Sequence, residues 1–401
     1  MDVDEEFYMI TDEEVEEISN SLESGNLADA ATRILENMKQ LENAKLDIAI
    51  TGESGSGKST FINVVRGLED DEVDGAAKTG VVETTRVPAP YPHPNYPNVR
   101  LWDLPGIGTP NFSADKYLER VNFSTYDFFI IIASERFRAN HAKLATEIQK
   151  MQKKFYFVRS KVDADLYAAQ KRRNTSYNEL NTLNEIKDNC IMCLQDGGLV
   201  SPPQVFLISS FELGKYDFHD LESTLERELP EHKRHAFLLC LPNLSIRILE
   251  KKIEVMRKTI WKYATISCGI ATVPIPGLSV ACDIAILVKA LTKYRDSFGL
   301  DDDSLRNLSR RVNKPVKELM AAVKSPLSKE ITSTVVKKML TNAVGGGLML
   351  VEYIVSTIPL IGTAAAGGIS FATTYYLLRK FLDELAKDAH SVLITALGTE
   401  V

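Results

Sequence analysis

Basic residues are missing from the start of the chain. Residues 1–23 contain ten aspartates and glutamates and no lysine or arginine, and over all 401 residues the formal net charge is −7. A phosphate backbone recruits basic surfaces, so this balance excludes general nucleic-acid binding. The acidic run itself reads as a solvent-facing helix or a frayed end. Cysteine is scarce as well. Five thiols, an odd number, with no signal peptide evident, point to a reducing cytoplasm and not to a disulfide framework. Cys190 and Cys193 form a lone C-x-x-C inside the helical pattern NELNTLNEIKDNCIMCL. No second pair or histidine stands at zinc-ligand spacing, so they read as core or boundary thiols. Position 2 is Asp, so the glycine that N-myristoylation requires is absent.

Unbroken apolar runs are few. Residues 353–378 pass 26 positions without a charge, but Pro359, Gly362, Gly367 and Gly368 interrupt them. They read as two helices meeting at a turn, not as one spanning helix of about 20 apolar residues. The similar stretch 264–288 contains Asp283, which would cost about 2.5 kcal/mol or more at a bilayer centre. Both are expected to be packed helical core, with a hairpin lying on one leaflet as the alternative. The turns TVPIPG (272–277) and TIPLIG (357–362) echo one another 85 residues apart.

What is present is an ordinary globular composition, 44% hydrophobic and 25% charged, long enough for two or three domains. The pattern T11-x-x-E14 predicts a capped helix near the start, and a second helix is predicted over 27–43. Short apolar runs then alternate with helical stretches. KLDIAIT (45–51), VRLWD (99–103), DFFIIIA (127–133), KFYFVRS (154–160) and QVFLIS (204–209) predict a mostly parallel sheet covered on both faces. Five prolines in 88–97 predict an irregular exposed crossing there. After Pro230 the strand signals stop and helices with Gly and Pro breaks follow. The expected domains are N-terminal helices in 1–44, an α/β domain in 45–230 and an all-α domain in 231–401.

Three motifs sit at predicted strand ends, where ligands bind in open α/β sheets. The first is Gly52-x-x-x-x-Gly57-Lys58-Ser59, between a strand and a helix. Glu53, Ser54, Gly55, Ser56 and Gly57 are expected to cradle phosphates with their backbone amides, helped by the helix N-terminus that continues through Thr60. Lys58 is expected to reach the β- and γ-phosphates, and Ser59 to offer its hydroxyl to Mg²⁺. The second is Asp103-Leu-Pro-Gly106. Its carboxylate suits the same Mg²⁺, and Gly106 leaves an amide for the γ-phosphate. The third is Ser160-Lys161-Val162-Asp163. Its carboxylate can accept from both N1–H and the exocyclic amine of guanine, a donor pair that adenine lacks. The Lys161 stem packs on the ring, and Ser replaces the more usual Asn. Ser209 and Ser210, after the next strand, are expected to place an amide near the guanine oxygen. GTP and GDP are therefore the expected substrate and product.

The glutamine that many small GTPases carry after D-x-x-G, to orient water, is replaced by Ile107. Hydrolysis is then slow, or is helped from elsewhere. Within KTGVVETTR (78–86), Thr84 or Thr85 is placed to complete the Mg²⁺ shell and Glu83 to orient water. Arg136, in SERFRANH after the strand DFFIIIA, falls on the nucleotide face.

These residues together resemble the immunity-related, interferon-inducible GTPases. The likeness includes GESGSGKS, KTGVVETT, YPNVRLWDLPGIGTPNF, YDFFIIIASERF, KFYFVRSKVD and LPEHKRHAFLLCLPN, over roughly 20–310, and Lys58 matches members with Lys in the loop. The resemblance implies a Ras-like domain beside a helical domain built from both chain ends. It implies GTP-dependent self-association, with Glu83 and Arg136 on the dimer face, and related GTPases as regulators. It also implies cell-autonomous defence, from the cytoplasm, at membranes of vacuoles that house pathogens. The apolar, glycine-rich tail beyond about 330 departs from the family pattern.

Overall fold

The computed structural model describes residues 16–17, 20, 27–70, 75–80, 85–108, 113–173, 176–199, 204–271, 278–343 and 365–398. The chain forms two compact units, Ala44–Leu244 and the pair of segments Met1–Asn43 and Ser245–Val401. Helix α1 (Leu27–Glu42) belongs to the latter.

The first unit is a six-stranded sheet. In chain order its elements are β1 (Leu46–Gly52), α2 (Lys58–Val65), β2 (Ala89–Pro92), β3 (Val99–Asp103), α3 (Ala114–Arg120), β4 (Phe128–Ala133), α4 (Ala139–Lys150), β5 (Lys154–Arg159), α5 (Val162–Arg173), α6 (Glu179–Asp196), β6 (Val205–Leu207), α7 (Phe218–Glu228) and α8 (Glu231–Cys240). The spatial order is β2-β3-β1-β4-β5-β6. Every pair is parallel except β2 with β3. Every residue of β1 and of β4 is buried, as helices on both faces of a parallel sheet require. Phe129, Ile131 and Phe157 point into one core with Leu144, Ile148 and Leu194. Each such side chain contributes roughly 1.5–3 kcal/mol on burial.

Strand β2 corrects the expectation of an irregular crossing. Pro90 and Pro92 pair with Trp102 and Arg100 across an antiparallel edge, the one place in a sheet where a residue without N–H is tolerated. The boundary is also later than Pro230. Helix α8 lies against β1 and β3, so the sheet unit continues to Leu244.

The edge of the sheet away from the strands' carboxyl ends is closed by side-chain pairing. Arg100 grips Asp47 with Nε and Nη2, each at 2.7 Å, and the Trp102 indole N–H donates to the same carboxylate at 2.7 Å. The Asp47 amide donates to Asp127 at 2.9 Å, and Lys233 of α8 pairs with Asp127.

The described elements of the second unit are all helices. With α1 it contains α9 (Ile246–Arg257), α10 (Ile260–Ala271), α11 (Leu278–Ser297), the shorter α12 to α15 (Asp302–Arg311, Val316–Ala322, Pro326–Lys329, Ser333–Ala343) and α16 (Ala365–Leu397). Phe371, Tyr375, Leu378, Leu382, Leu385, Ala389 and Val392 of α16 are buried at spacings of three and four, a continuous core-facing stripe. Gly367 and Gly368 lie inside this helix and do not form the expected break; Pro359 and Gly362 lie outside the described residues. Asp283 of α11 accepts from Ser267 of α10 at 2.5 Å and from Ser370 of α16 at 2.9 Å. Burial raises its pKa, while the two hydroxyls favour the ionised form. The apolar stretches thus pack as helical core in their described parts, and no described helix is long and apolar enough to cross a membrane.

Candidate nucleotide site

The loop between β1 and α2 is built for close approach. A Cβ on Gly52 would stand 2.0 Å from the Ile132 carbonyl oxygen of β4, so no other residue fits. Gly57 caps α2 in a left-handed conformation, φ 88°, which glycine adopts without strain. The buried Lys58 ammonium donates to the carbonyls of Glu53 at 2.9 Å and Gly52 at 3.4 Å, curled over its own loop. Ser56 is buried, and its hydroxyl oxygen has no partner.

Three oxygens from three segments meet at Asp103. Ser59 Oγ, on the first turn of α2, donates to Asp103 Oδ2 at 2.9 Å, and Thr85 Oγ1 donates to the same oxygen at 2.8 Å. Asp103 is 1% exposed, yet its Oδ1 has no partner. Two hydroxyls and a half-satisfied carboxylate form a hard-oxygen donor set. That set fits Mg²⁺, which keeps several waters and takes other ligands from phosphate instead of a full protein cage.

The third motif leans on the first. Ser160 Oγ donates to the Ser56 carbonyl at 2.6 Å, and Lys161 Nζ to the Gly55 carbonyl at 2.8 Å. Lys161 has φ 59°, a left-handed conformation that costs a non-glycine residue of order 1 kcal/mol and is held by the surrounding contacts. Asp163 Oδ1 is buried and unpartnered. Ser209 is fully buried and its Oγ accepts from the Glu212 amide at 3.2 Å; Ser210 follows it, half-buried. So Ser56, Asp103 and Asp163, one in each motif, carry buried polar atoms, a hydroxyl and two carboxylate oxygens, that nothing in the described protein satisfies.

The interferon-inducible GTPase family model matches residues 11–396. The chain belongs to the interferon-inducible GTPase family. It is 44% identical over 389 residues to the rat (Rattus norvegicus) interferon-inducible GTPase 5, across 97% of this chain and 84% of that protein. It is 41% identical over 387 residues to the mouse (Mus musculus) interferon-gamma-inducible GTPase 10, across 96% and 89%. Among solved structures, Aquifex aeolicus Era bound to GDP·AlF4⁻ is 21% identical with a TM-score of 0.29, over 55% of this chain and 67% of that one, a likeness too slight to bear on the fold. The chain is a P-loop GTPase with a mostly parallel sheet and a helical region from both chain ends.

In this family member the second motif is pinned on both sides. The Leu104 amide donates to Ile50 O at 3.0 Å and the Ile107 amide to Gly52 O at 3.2 Å, so D-L-P-G runs on beside β1. Ile107 is fully buried in the sheet core. Its apolar side chain is packed into the core and offers no group to orient a water. Arg136 is exposed and lines a cleft with Arg138, Arg159 and Cys193. Glu83 and Thr84 lie outside the described residues.

Sequence reasoning missed three residues. Tyr117 of α3 reaches Thr51 and Pro105 at 2.8 and 2.9 Å. Asn140 of α4 donates to the Ile107 carbonyl at 3.1 Å. Arg138 pairs with Glu53 of the loop at 3.5 Å. Arg138 and Asn140 lie in SERFRANH beside Arg136, and Tyr117 lies outside every motif; the partner of each is distant in sequence, so no local signal marks its role.

Proposed function

We propose that this GTPase binds GTP with Mg²⁺ at the carboxyl edge of its sheet, turns it over slowly alone, and is activated when two nucleotide faces meet. The observation that carries the reading is the coincidence of the three unpartnered buried polar atoms with the three motifs. Buried polar atoms are rarely left without partners; guanine's two N–H donors suit Asp163, a cation suits Asp103, and phosphate oxygens suit the Ser56 hydroxyl as a donor.

The roles follow from position. The amides of residues 53–57 and the Lys58 ammonium hold the phosphates, and Lys58 must leave its own loop carbonyls to do so. Ser59, Thr85 and Asp103 hold Mg²⁺, which when bound neutralises charge on the β- and γ-phosphate oxygens. Asp163 selects guanine, Lys161 covers the ring, and the Ser209–Ser210 backbone meets its oxygen. With Ile107 in the core, orientation of water falls to Glu83, assigned from its sequence position. Arg136, exposed on the cleft rim, is the dimer-face cation. A complementing group supplied across an interface raises turnover by roughly 10³ to 10⁵.

The family context supports a role in cell-autonomous immunity, exercised from the cytoplasm by peripheral association with vacuole or other intracellular membranes, with related GTPases as regulators. A second reading, a nucleotide-gated binding module with negligible turnover, is favoured by the same buried Ile107.

GTP turnover per molecule against protein concentration tests the reading. It is expected to climb for the wild type and to stay flat for Glu83→Ala. Turnover per molecule that is constant for the wild type would overturn activation by self-association and leave the gated module.

A further inference from the structure

Tyr117 occupies an unusual place for a residue outside every motif. Its hydroxyl is buried between the root of the phosphate loop and the second motif, 2.8 Å from Thr51 Oγ1 and 2.9 Å from the Pro105 carbonyl oxygen. A carbonyl can only accept, and a phenol has one proton. The proton order is therefore fixed: the Thr51 hydroxyl donates to the Tyr117 oxygen, and Tyr117 donates to Pro105. Burial raises the Tyr117 pKa above its ordinary value of 10, so the donor persists at any physiological pH.

The Pro105 carbonyl shares one planar peptide with the Gly106 N–H, and the two groups of a trans peptide point in opposite directions. Holding the oxygen therefore aims the amide. The neighbouring amides of Leu104 and Ile107 are both occupied by β1, and Pro105 has none. The Gly106 N–H is left without a partner among the described residues. Pro105 is buried whereas Gly106 is half-buried, so the held end faces the core and the free end the open side. Asn140 holds the carbonyl of Ile107, two residues on, which keeps the turn from rotating as a unit.

We propose that Tyr117 is a positioning residue for discrimination between GTP and GDP, its hydroxyl presetting the Pro105–Gly106 peptide so that the Gly106 amide meets the γ-phosphate. The inference rests on the reading of D-L-P-G as the γ-phosphate sensor. GDP has no γ-phosphate, so only GTP is affected when the orientation is lost.

The test is calorimetric titration of the full chain with GDP and with the β,γ-imido analogue of GTP, for wild type, Tyr117→Phe and Thr51→Val. Tyr117→Phe keeps the ring and removes one hydroxyl. It is expected to leave GDP affinity within twofold and to weaken the analogue about five- to tenfold, the scale of one hydrogen bond. Thr51→Val, which leaves the tyrosine in place, should shift the same ratio less and in the same direction. A purely structural role would weaken both nucleotides together. An unchanged ratio, equal losses or a gain in analogue affinity overturns the inference alone. Failure of the wild type to bind GDP overturns the site reading and the inference with it.

Discussion

Ser160 holds Ser56: the hydroxyl of the base motif donates to a phosphate-loop carbonyl at 2.6 Å, joining two segments 104 residues apart. The serine that stands where Asn is more usual is thus a tether, while Asp163 is left to read the base. Ser160→Ala is expected to weaken GDP binding about five- to tenfold, and Ser160→Asn, which retains a donor, to restore most of it. Fluorescent-nucleotide titration checks both, and equal affinity for Ser160→Ala and wild type would remove the tether from the account.

Asp163→Asn exchanges an acceptor pair for one acceptor and one donor. Guanine's two donors then lose a match, and xanthine, with a carbonyl in place of the exocyclic amine, gains one. GTP affinity is expected to fall about a hundredfold or more, with XTP binding appearing. Competition between the two triphosphates measures the switch. GTP affinity within twofold of wild type would take Asp163 out of the base site.

Asp103→Ala and Thr85→Ala act on the ion and not on the nucleotide directly. Asp103→Ala should lower Mg²⁺-dependent turnover about a hundredfold and Thr85→Ala about tenfold. GDP affinity measured in chelator should stay near wild type. A loss of affinity in chelator as large as that in Mg²⁺ would mean that these residues serve the fold.

His141 makes the start of α4 acid-sensitive. The ring is fully buried, its Nδ1 accepts from the Arg138 amide at 3.0 Å, and burial lowers its pKa from 6.5 to about 4. The folded state therefore refuses a proton that the unfolded chain binds below pH 6.5. Stability is full above that pH and falls as pH drops toward 4, at about 1.4 kcal/mol per unit and about 3 kcal/mol in all. Hydrogen exchange of the α4 amides should accelerate over that window in the wild type, and less steeply in His141→Gln. Parallel slopes would assign the acid sensitivity to other groups.

The phosphate loop and strands β1, β3, β4 and β5 were legible because their signals are contiguous: a run of buried residues, then glycines, then a helix start. β2 was hidden by its prolines, which disqualify a central strand but suit an edge. Gly367 and Gly368 look like a helix break, but the stripe from Phe371 to Val392 outweighs the roughly 1 kcal/mol that each glycine costs. Tyr117 and Asn140 were invisible because their work is done on carbonyls 12 and 33 residues away, and any side chain can in principle reach a carbonyl. The Mg²⁺ set was partly legible: Ser59 and Asp103 from their motifs, and Thr85 only as one of two neighbours.

The two ends of the sheet differ in how completely they are finished. At the end away from the motifs, Asp47 and Asp127 are met by Arg100, Trp102 and Lys233. At the other, Ser56, Asp103 and Asp163 each keep a buried polar atom without a partner, an omission that costs about 1–3 kcal/mol apiece. Whatever binds the folded chain and not the unfolded one stabilises it, so guanine nucleotide that meets these atoms is expected to protect the fold against heat and protease as well as to serve turnover.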